Sequence, residues 1–199
     1  KMDNERLEKQ FDFFREIDKE KFIGRQTYLT DGERKENDAE HAWHMAIMTV
    51  LLAEYANEKI DVLKTVMMLL IHDLVEIDAG DTYAYDEEGK KTQREREEKA
   101  AKRIFGLLPE EQGEKLMALW EEFEAYETPE ANFAHTMDNI QPVMLNDATD
   151  GKAWLEHGVH LSQILGRNKK TAEGSEELWQ YAYEKMIAPN AVKGRIIED

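Results

Sequence analysis

Met67-Met68-Leu69-Leu70-Ile71-His72-Asp73-Leu74-Val75-Glu76-Ile77-Asp78-Ala79-Gly80-Asp81 is the stretch on which the reading of this chain turns. It begins as an apolar run and becomes chemical halfway along, with imidazole and carboxylate side by side where the pattern calls for Leu or Val. Burying both groups without a partner carries a desolvation penalty that only a counter-charge offsets. A metal ion is the simplest such partner. If the run is helical, His72 and Glu76 are four residues apart and Asp73 and Glu76 three, so Glu76 projects over the same patch as both. Gly80 then ends the helix, with Asp81 just beyond it. One His-Asp pair supplies two ligands, and a tetrahedral or octahedral ion needs more from elsewhere in the chain.

Composition narrows what the ion can be held by. The 199 residues include no cysteine, which leaves His, Asp and Glu as ligands and removes disulfide and thiolate sites. The length suits one domain with a sizeable core, spanning residues 1–199. Formal net charge is −17, from 43 acidic and 26 basic residues, which argues against a general grip on a nucleic-acid backbone. A small anionic substrate then needs a cation waiting in the pocket. No apolar run approaches the roughly 20 residues of a membrane helix, and Lys1-Met2-Asp3-Asn4-Glu5 is too charged for a secretory signal. A cytoplasmic protein without membrane partners is the expectation.

Outward from the central run the periodicity is helical. Residues 3–23 carry Leu7, Phe11, Phe14 and Ile17 at helical spacing and end at Gly24. Residues 24–37 have no period and read as a loop, with Arg25 in it. Asn37-Asp38-Ala39-Glu40 has the form of a capping box and opens a helix through Ala56 that carries His41, Trp43 and His44. The central helix starts at Ile60 or Asp61. Residues 81–91, acidic and aperiodic with Tyr83 and Tyr85, read as a mobile loop beside the site. Helices follow over 92–105 and from Pro109 to Tyr126, with Leu116, Leu119, Trp120 and Phe123 on the inner face of the second. Thr128-Pro129-Glu130 starts another, running to Gly151 through His135, Met137, Asp138 and Ile140. Two more are expected near 152–165 and 176–188, and residues 190–199 are expected as a coil tail. Strand alternation is nearly absent, so the fold class is all-α, a compact helical bundle.

Four polar groups lie on otherwise apolar helices: His41, His72, Asp73 and Asp138. Two imidazoles and two carboxylates from three helices can converge on one divalent ion, Mn, Co, Fe, Ni or Zn, with positions left open for catalysis. His44 reads as a supporting or surface residue, and His135 as an understudy to Asp138. His157 and His160, three apart, read as surface or partner contacts. Trp43, Trp120 and Phe123 read as core.

The pattern Glu40-His41, His72-Asp73-Leu74-Val75-Glu76, Gly80-Asp81, Pro129-Glu130-Ala131 and Asp138 resembles the HD-domain metal-dependent phosphohydrolases, closest to their 5′-deoxynucleotidase branch. The resemblance implies an HD-type helical domain in which His41, His72, Asp73 and Asp138 hold the metal and Glu76 transfers a proton. It also implies that Asp81 contacts substrate or water and that Arg25 binds the nucleotide. Close members follow that Arg with an aromatic residue, where this chain has Gln26-Thr27-Tyr28. The implied activity is hydrolysis of nucleoside 5′-monophosphates, with deoxynucleosides foremost, by a homodimer. Alternatives are an HD-type di- or triphosphate hydrolase, for which no Lys/Arg-rich second substrate motif is visible, and a nucleotide-sensing module, for which Glu76 would be superfluous.

Overall fold

The structure, a computed structural model, describes residues 4–199. Residue 3, where the first helix was expected to start, lies outside them. The first helix, α1 (Asn4–Ile17), ends sooner than its pattern suggests and passes into a 3₁₀ turn over Asp18–Phe22. Its regularly spaced Leu7, Phe11 and Phe14 face outward, and Phe13 is the residue that enters the core. Residues 24–37 are not a plain loop. They form an antiparallel hairpin, β1 (Gly24–Tyr28) and β2 (Lys35–Asn37), with Gly24 opposite Asn37 and Tyr28 opposite Lys35. Polar cross-strand pairs hold this hairpin, including Lys35 Nζ on Gln26 Oε1 at 2.8 Å, so it leaves no apolar alternation for the sequence to show.

The predicted capping box is formed. Asn37 accepts from the Glu40 amide at 2.9 Å, and the Glu40 carboxylate accepts from the Asn37 amide at 3.0 Å, opening α2 (Asp38–Leu52). The central helix starts at an Asp61 cap as expected but is shorter: α3 (Val62–His72) stops with Asp73 as its cap residue. Three-residue hydrogen bonds over Ile71–Val75 turn the chain before α4 (Glu76–Ala79). Glu76 therefore does not stand one straight turn above His72. Gly80, with φ at +76°, then redirects the backbone into Asp81.

An Asp86 cap starts α5 (Glu87–Phe105) inside the expected loop. Then come α6 (Glu110–Ala125) and the long α7 (Pro129–Ala148), capped by Thr128 as predicted. The helix expected near 152–165 is broken into α8 (Lys152–His157) and α9 (Leu161–Arg167), and a short α10 (Thr171–Gly174) follows. The helix expected near 176–188 forms as α11 (Glu176–Ala182), continued through a π turn over Tyr183–Ile187 into α12 (Ala188–Val192). The expected coil tail is also corrected. Asn190 and Ile196 are buried, and Ile197 pairs with His160 in a parallel bridge.

Helix α3 packs against α2, α6 and α7, and α7 also packs against α2. Met45, Met68, Leu69, Phe133 and Met137 fill the space among the three helices α2, α3 and α7. Met45 is one turn beyond His41, and Met68 one turn before His72. The apolar floor thus continues directly under both imidazoles.

Candidate metal centre

The four side chains expected as ligands meet. Nε2 of His41 lies 2.9 Å from Asp138 Oδ1, and Nε2 of His72 lies 3.1 Å from Asp73 Oδ1 and 3.4 Å from Asp138 Oδ1. His41, His72 and Asp73 each offer a ligand atom within 4.8 Å of the others. All four residues are buried.

The protons on the imidazoles decide what this arrangement can accept. His72 Nδ1 sits 2.6 Å from the Leu69 carbonyl, an obligate acceptor, so Nδ1 carries the hydrogen. Its buried Nε2 has no hydrogen-bond partner and aims a lone pair toward carboxylate oxygens. His41 repeats the motif: Nδ1 donates to Gln141 Oε1 at 2.7 Å, and Nε2 faces Asp138. The Gln141 amide is itself oriented by donating to Glu36 Oε2 at 3.0 Å. Acceptors facing acceptors in a buried space call for a positive charge between them. Burial alone would lower the pKa of His72, yet Asp73 and Asp138 outweigh it and lift the value to about 10. In the absence of another cation a proton on Nε2 therefore supplies that charge, and a metal ion would take its place. Asp138 is the converse case, where burial would raise its carboxyl but the two imidazoles hold it well below the usual range. The donor set fits a divalent transition ion held by His41, His72, Asp73 and Asp138.

Next to this quartet, Asp38, Asp73 and Glu76 form a second buried group with ligand atoms within 4.8 Å of one another. Burial and the neighbouring Asp73 push Glu76 well above the ordinary carboxylate range and Asp38 up to about 6, and the two carboxyls share a hydrogen bond. Two carboxylates so placed cannot both ionise cheaply, so one proton stays between them. Asp81 lines the same cleft, its carboxyl also raised by burial. The cleft is about 280 Å³, near the lower end for small-molecule sites.

Arg25 reaches this place from β1. Its guanidinium contacts Glu36 at 3.2 Å, Asp38 at 3.3 Å and Asp73 at 3.4 Å, and its side chain is 16% exposed. Sequence reading missed Glu36, Asp38 as more than a helix-start residue, Gln141 and Arg167. Of these, only Gln141 had a signal, lying three residues from Asp138 on the same face of α7. His135 does not substitute for Asp138, because its ring is stacked between Phe123 and Tyr126 and its Nε2 bonds the Phe123 carbonyl at 2.7 Å. His44 approaches Gln141 at 3.2 Å and stacks on Trp43, which is 60% exposed and not core. His157 packs on Tyr83, and His160 faces Asp199.

A buried cluster of two imidazoles and two carboxylates, with a carboxyl pair beside it, makes this a helical protein with a candidate metal site. Comparison with known proteins places it more closely: residues 17–179 match the HD domain, and the chain belongs to the HD-domain family. It is similar to the crystal structure of a predicted metal-dependent phosphohydrolase from Magnetospirillum magnetotacticum MS-1, with a TM-score of 0.93 and 46% identity over 99% of this chain and 98% of that one. It is also similar to the human 5′-deoxynucleotidase HDDC2, 31% identical over 112 residues, 56% of this chain and 53% of that protein. The Dictyostelium discoideum protein of the same name is 29% identical over 139 residues, 67% of this chain and 73% of its own length. The chain spans about half the length of the vertebrate relatives it matches.

Proposed function

We propose that this protein is a metal-dependent phosphohydrolase that cleaves the phosphate monoester of nucleoside 5′-monophosphates, deoxynucleosides foremost. The observation that carries the reading is the convergence of the His41 and His72 Nε2 atoms on Asp73 and Asp138, with the buried Asp38 and Glu76 carboxyls adjoining them. A divalent ion bound there supplies Lewis acidity toward a phosphate oxygen and the attacking water. Glu76 holds or moves the proton, since its carboxyl lies beside Asp73 in a place shielded from bulk solvent. Asp81, at the cleft wall after Gly80, orients water or a sugar hydroxyl. Arg25 fixes Asp38 and Asp73 in place and lends positive charge to the phosphate side of the cleft. Positioning and charge stabilisation dominate phosphoryl transfer, so these parts are sufficient. The names of the HDDC2 relatives support the nucleotide reading.

The test is phosphate release from a panel of ribo- and deoxynucleoside monophosphates by Mn²⁺- or Co²⁺-loaded protein, with Asp73→Ala alongside. Release by the parent that Asp73→Ala abolishes is the expected result. Release that survives the substitution refutes the mechanism, and an inactive parent favours a nucleotide-sensing module.

The protein acts as a homodimer in this reading. Trp43, Ile47, Val50 and Leu51 of α2 line one shallow apolar groove with Leu70 of α3, each 37–68% exposed. Large side chains of this kind carry about 150–250 Å² for an aromatic, so the groove exposes several hundred square ångströms. That is on the order of the ~800 Å² each partner gives to a standard interface. A second copy of the same uncharged face is the occupant that avoids the repulsion of two strongly acidic surfaces.

A further inference from the structure

Two guanidiniums flank the metal quartet on its outer sides. Asp73 and Asp138 turn their Oδ1 atoms toward His72, and each offers Oδ2 to an arginine: Arg25 at Asp73, 3.4 Å, and Arg167 at Asp138, 3.5 Å. The two arginines are not equivalent. Arg25 is shared by three carboxylates, Glu36, Asp38 and Asp73. Arg167 has its only ion pair among the described residues at the outer limit of contact, and 45% of its side chain is exposed at the cleft it lines.

Arg167 is also held in position from behind. It is the last residue of α9, and the next residue, Asn168, is buried, donating to the Ile164 carbonyl at 2.9 Å and accepting from Thr171 Oγ1 at 2.9 Å. Thr171 in turn accepts from Asn139 at 3.1 Å, and Asn139 is the neighbour of Asp138 on α7. A chain of buried polar contacts therefore fixes the base of the Arg167 side chain relative to Asp138. A braced base with a planar fork that touches a single carboxylate, at 3.5 Å, is the arrangement that suits bidentate capture of a phosphate at small ordering cost.

We propose that Arg167 is the phosphate anchor of this site, binding the non-bridging oxygens of the substrate phosphate on the Asp138 side of the metal quartet. The proposal rests on the phosphate-ester reading above and adds the group that offsets the negative cleft. On a chain of net charge −17, with Asp73, Glu76, Asp81 and Asp138 around the cleft, a phosphate dianion gains from a second cation beside Arg25, one that a single carboxylate touches at long range.

Calorimetric titration of inorganic phosphate into Mn²⁺-loaded parent, Arg167→Ala and Arg167→Lys proteins tests it, with Mn²⁺ affinity measured on each. Phosphate binding weakened at least tenfold in Arg167→Ala and less in Arg167→Lys, with Mn²⁺ affinity within twofold, is the expected result. For substrate, KM rises at least as much as kcat falls. Phosphate affinity unchanged in Arg167→Ala, or a parent that binds no phosphate, overturns the proposal. So does Mn²⁺ affinity falling in step with phosphate affinity, which would make Arg167 a positioning residue for Asp138. Should Arg167→Ala not fold, Arg167→Gln replaces it in the same comparison. A parent that binds phosphate through Arg167 yet hydrolyses no nucleotide sinks the nucleotidase reading and leaves the anchor standing.

Discussion

His41 Nδ1 and Gln141 Oε1 lie 2.7 Å apart in a site closed to solvent, a hundred positions apart in the chain. This contact determines which imidazole nitrogen is left for a metal. Gln141→Met keeps the volume but removes the acceptor and frees Glu36 from its amide partner. Metal affinity should fall about 10- to 100-fold, measured by Mn²⁺ titration, while far-ultraviolet circular dichroism stays that of the parent. Unchanged affinity would show that the tautomer is set by something other than Gln141.

Glu76 and Asp73 should separate binding from chemistry. Asp73→Asn is expected to abolish both Mn²⁺ binding and phosphate release. Glu76→Gln should bind Mn²⁺ nearly as the parent does and lose about 10²- to 10⁴-fold in kcat. A Glu76→Gln enzyme of normal kcat would remove Glu76 from the proton path.

His135 makes stability depend on pH. Burial between aromatic rings lowers its pKa from 6.5 to about 4 in the folded protein. Below pH 6.5 the unfolded chain takes up a proton that the folded one refuses, so the contribution is complete above 6.5. It is lost as pH falls toward 4. The whole loss is about 3 kcal/mol by linkage. Denaturant unfolding of parent and His135→Gln at pH 7 and pH 4.5 should show the parent losing the larger share. Parallel losses would contradict the assignment.

Gly174 is where α10 meets α7, and a Cβ there would collide with Thr136 Oγ1 and the Asn132 carbonyl. Gly174→Ala should destabilise by about 1–3 kcal/mol, which lowers Tm by roughly 2–12 °C for a chain of this size. Gly166→Ala, with open space around it, is the control and should leave Tm unchanged or raise it. Equal melting of all three proteins would show that α10 can move away from α7.

The apolar groove on α2 predicts a change of mass. Trp43→Glu with Leu51→Lys should convert a dimer to a monomer in light scattering, since charges at a desolvated interface are costly. A parent that is monomeric at tens of micromolar would end the dimer reading.

The convergence of His41, His72, Asp73 and Asp138 was legible because charged groups inside apolar periodicity stand out wherever they occur. His72-Asp73 and Asp138 violate the pattern of their own helices, and capping signals at Asn37, Asp61 and Thr128 place three helix starts correctly. The hairpin over residues 24–37 was not legible, because its strands are paired by polar groups and bury no alternate face. The end of α3 at Asp73 was hidden as well, since the apolar spacing runs on through Leu74 and Val75, which fill the core from a turn as well as from a helix.

By itself the sequence determined a mainly helical fold and pointed to four buried polar side chains that come together, because local periodicity and the cost of burying charge are properties of short segments. Only the tertiary structure decided that Gln141 sets the tautomer of His41, that Asp38 lies beside Glu76, and that Arg25 contacts three carboxylates while Arg167 contacts one. Those relations join residues tens of positions or more apart. A polar side chain's chemistry depends on which neighbour satisfies it, and no spacing within one element records that.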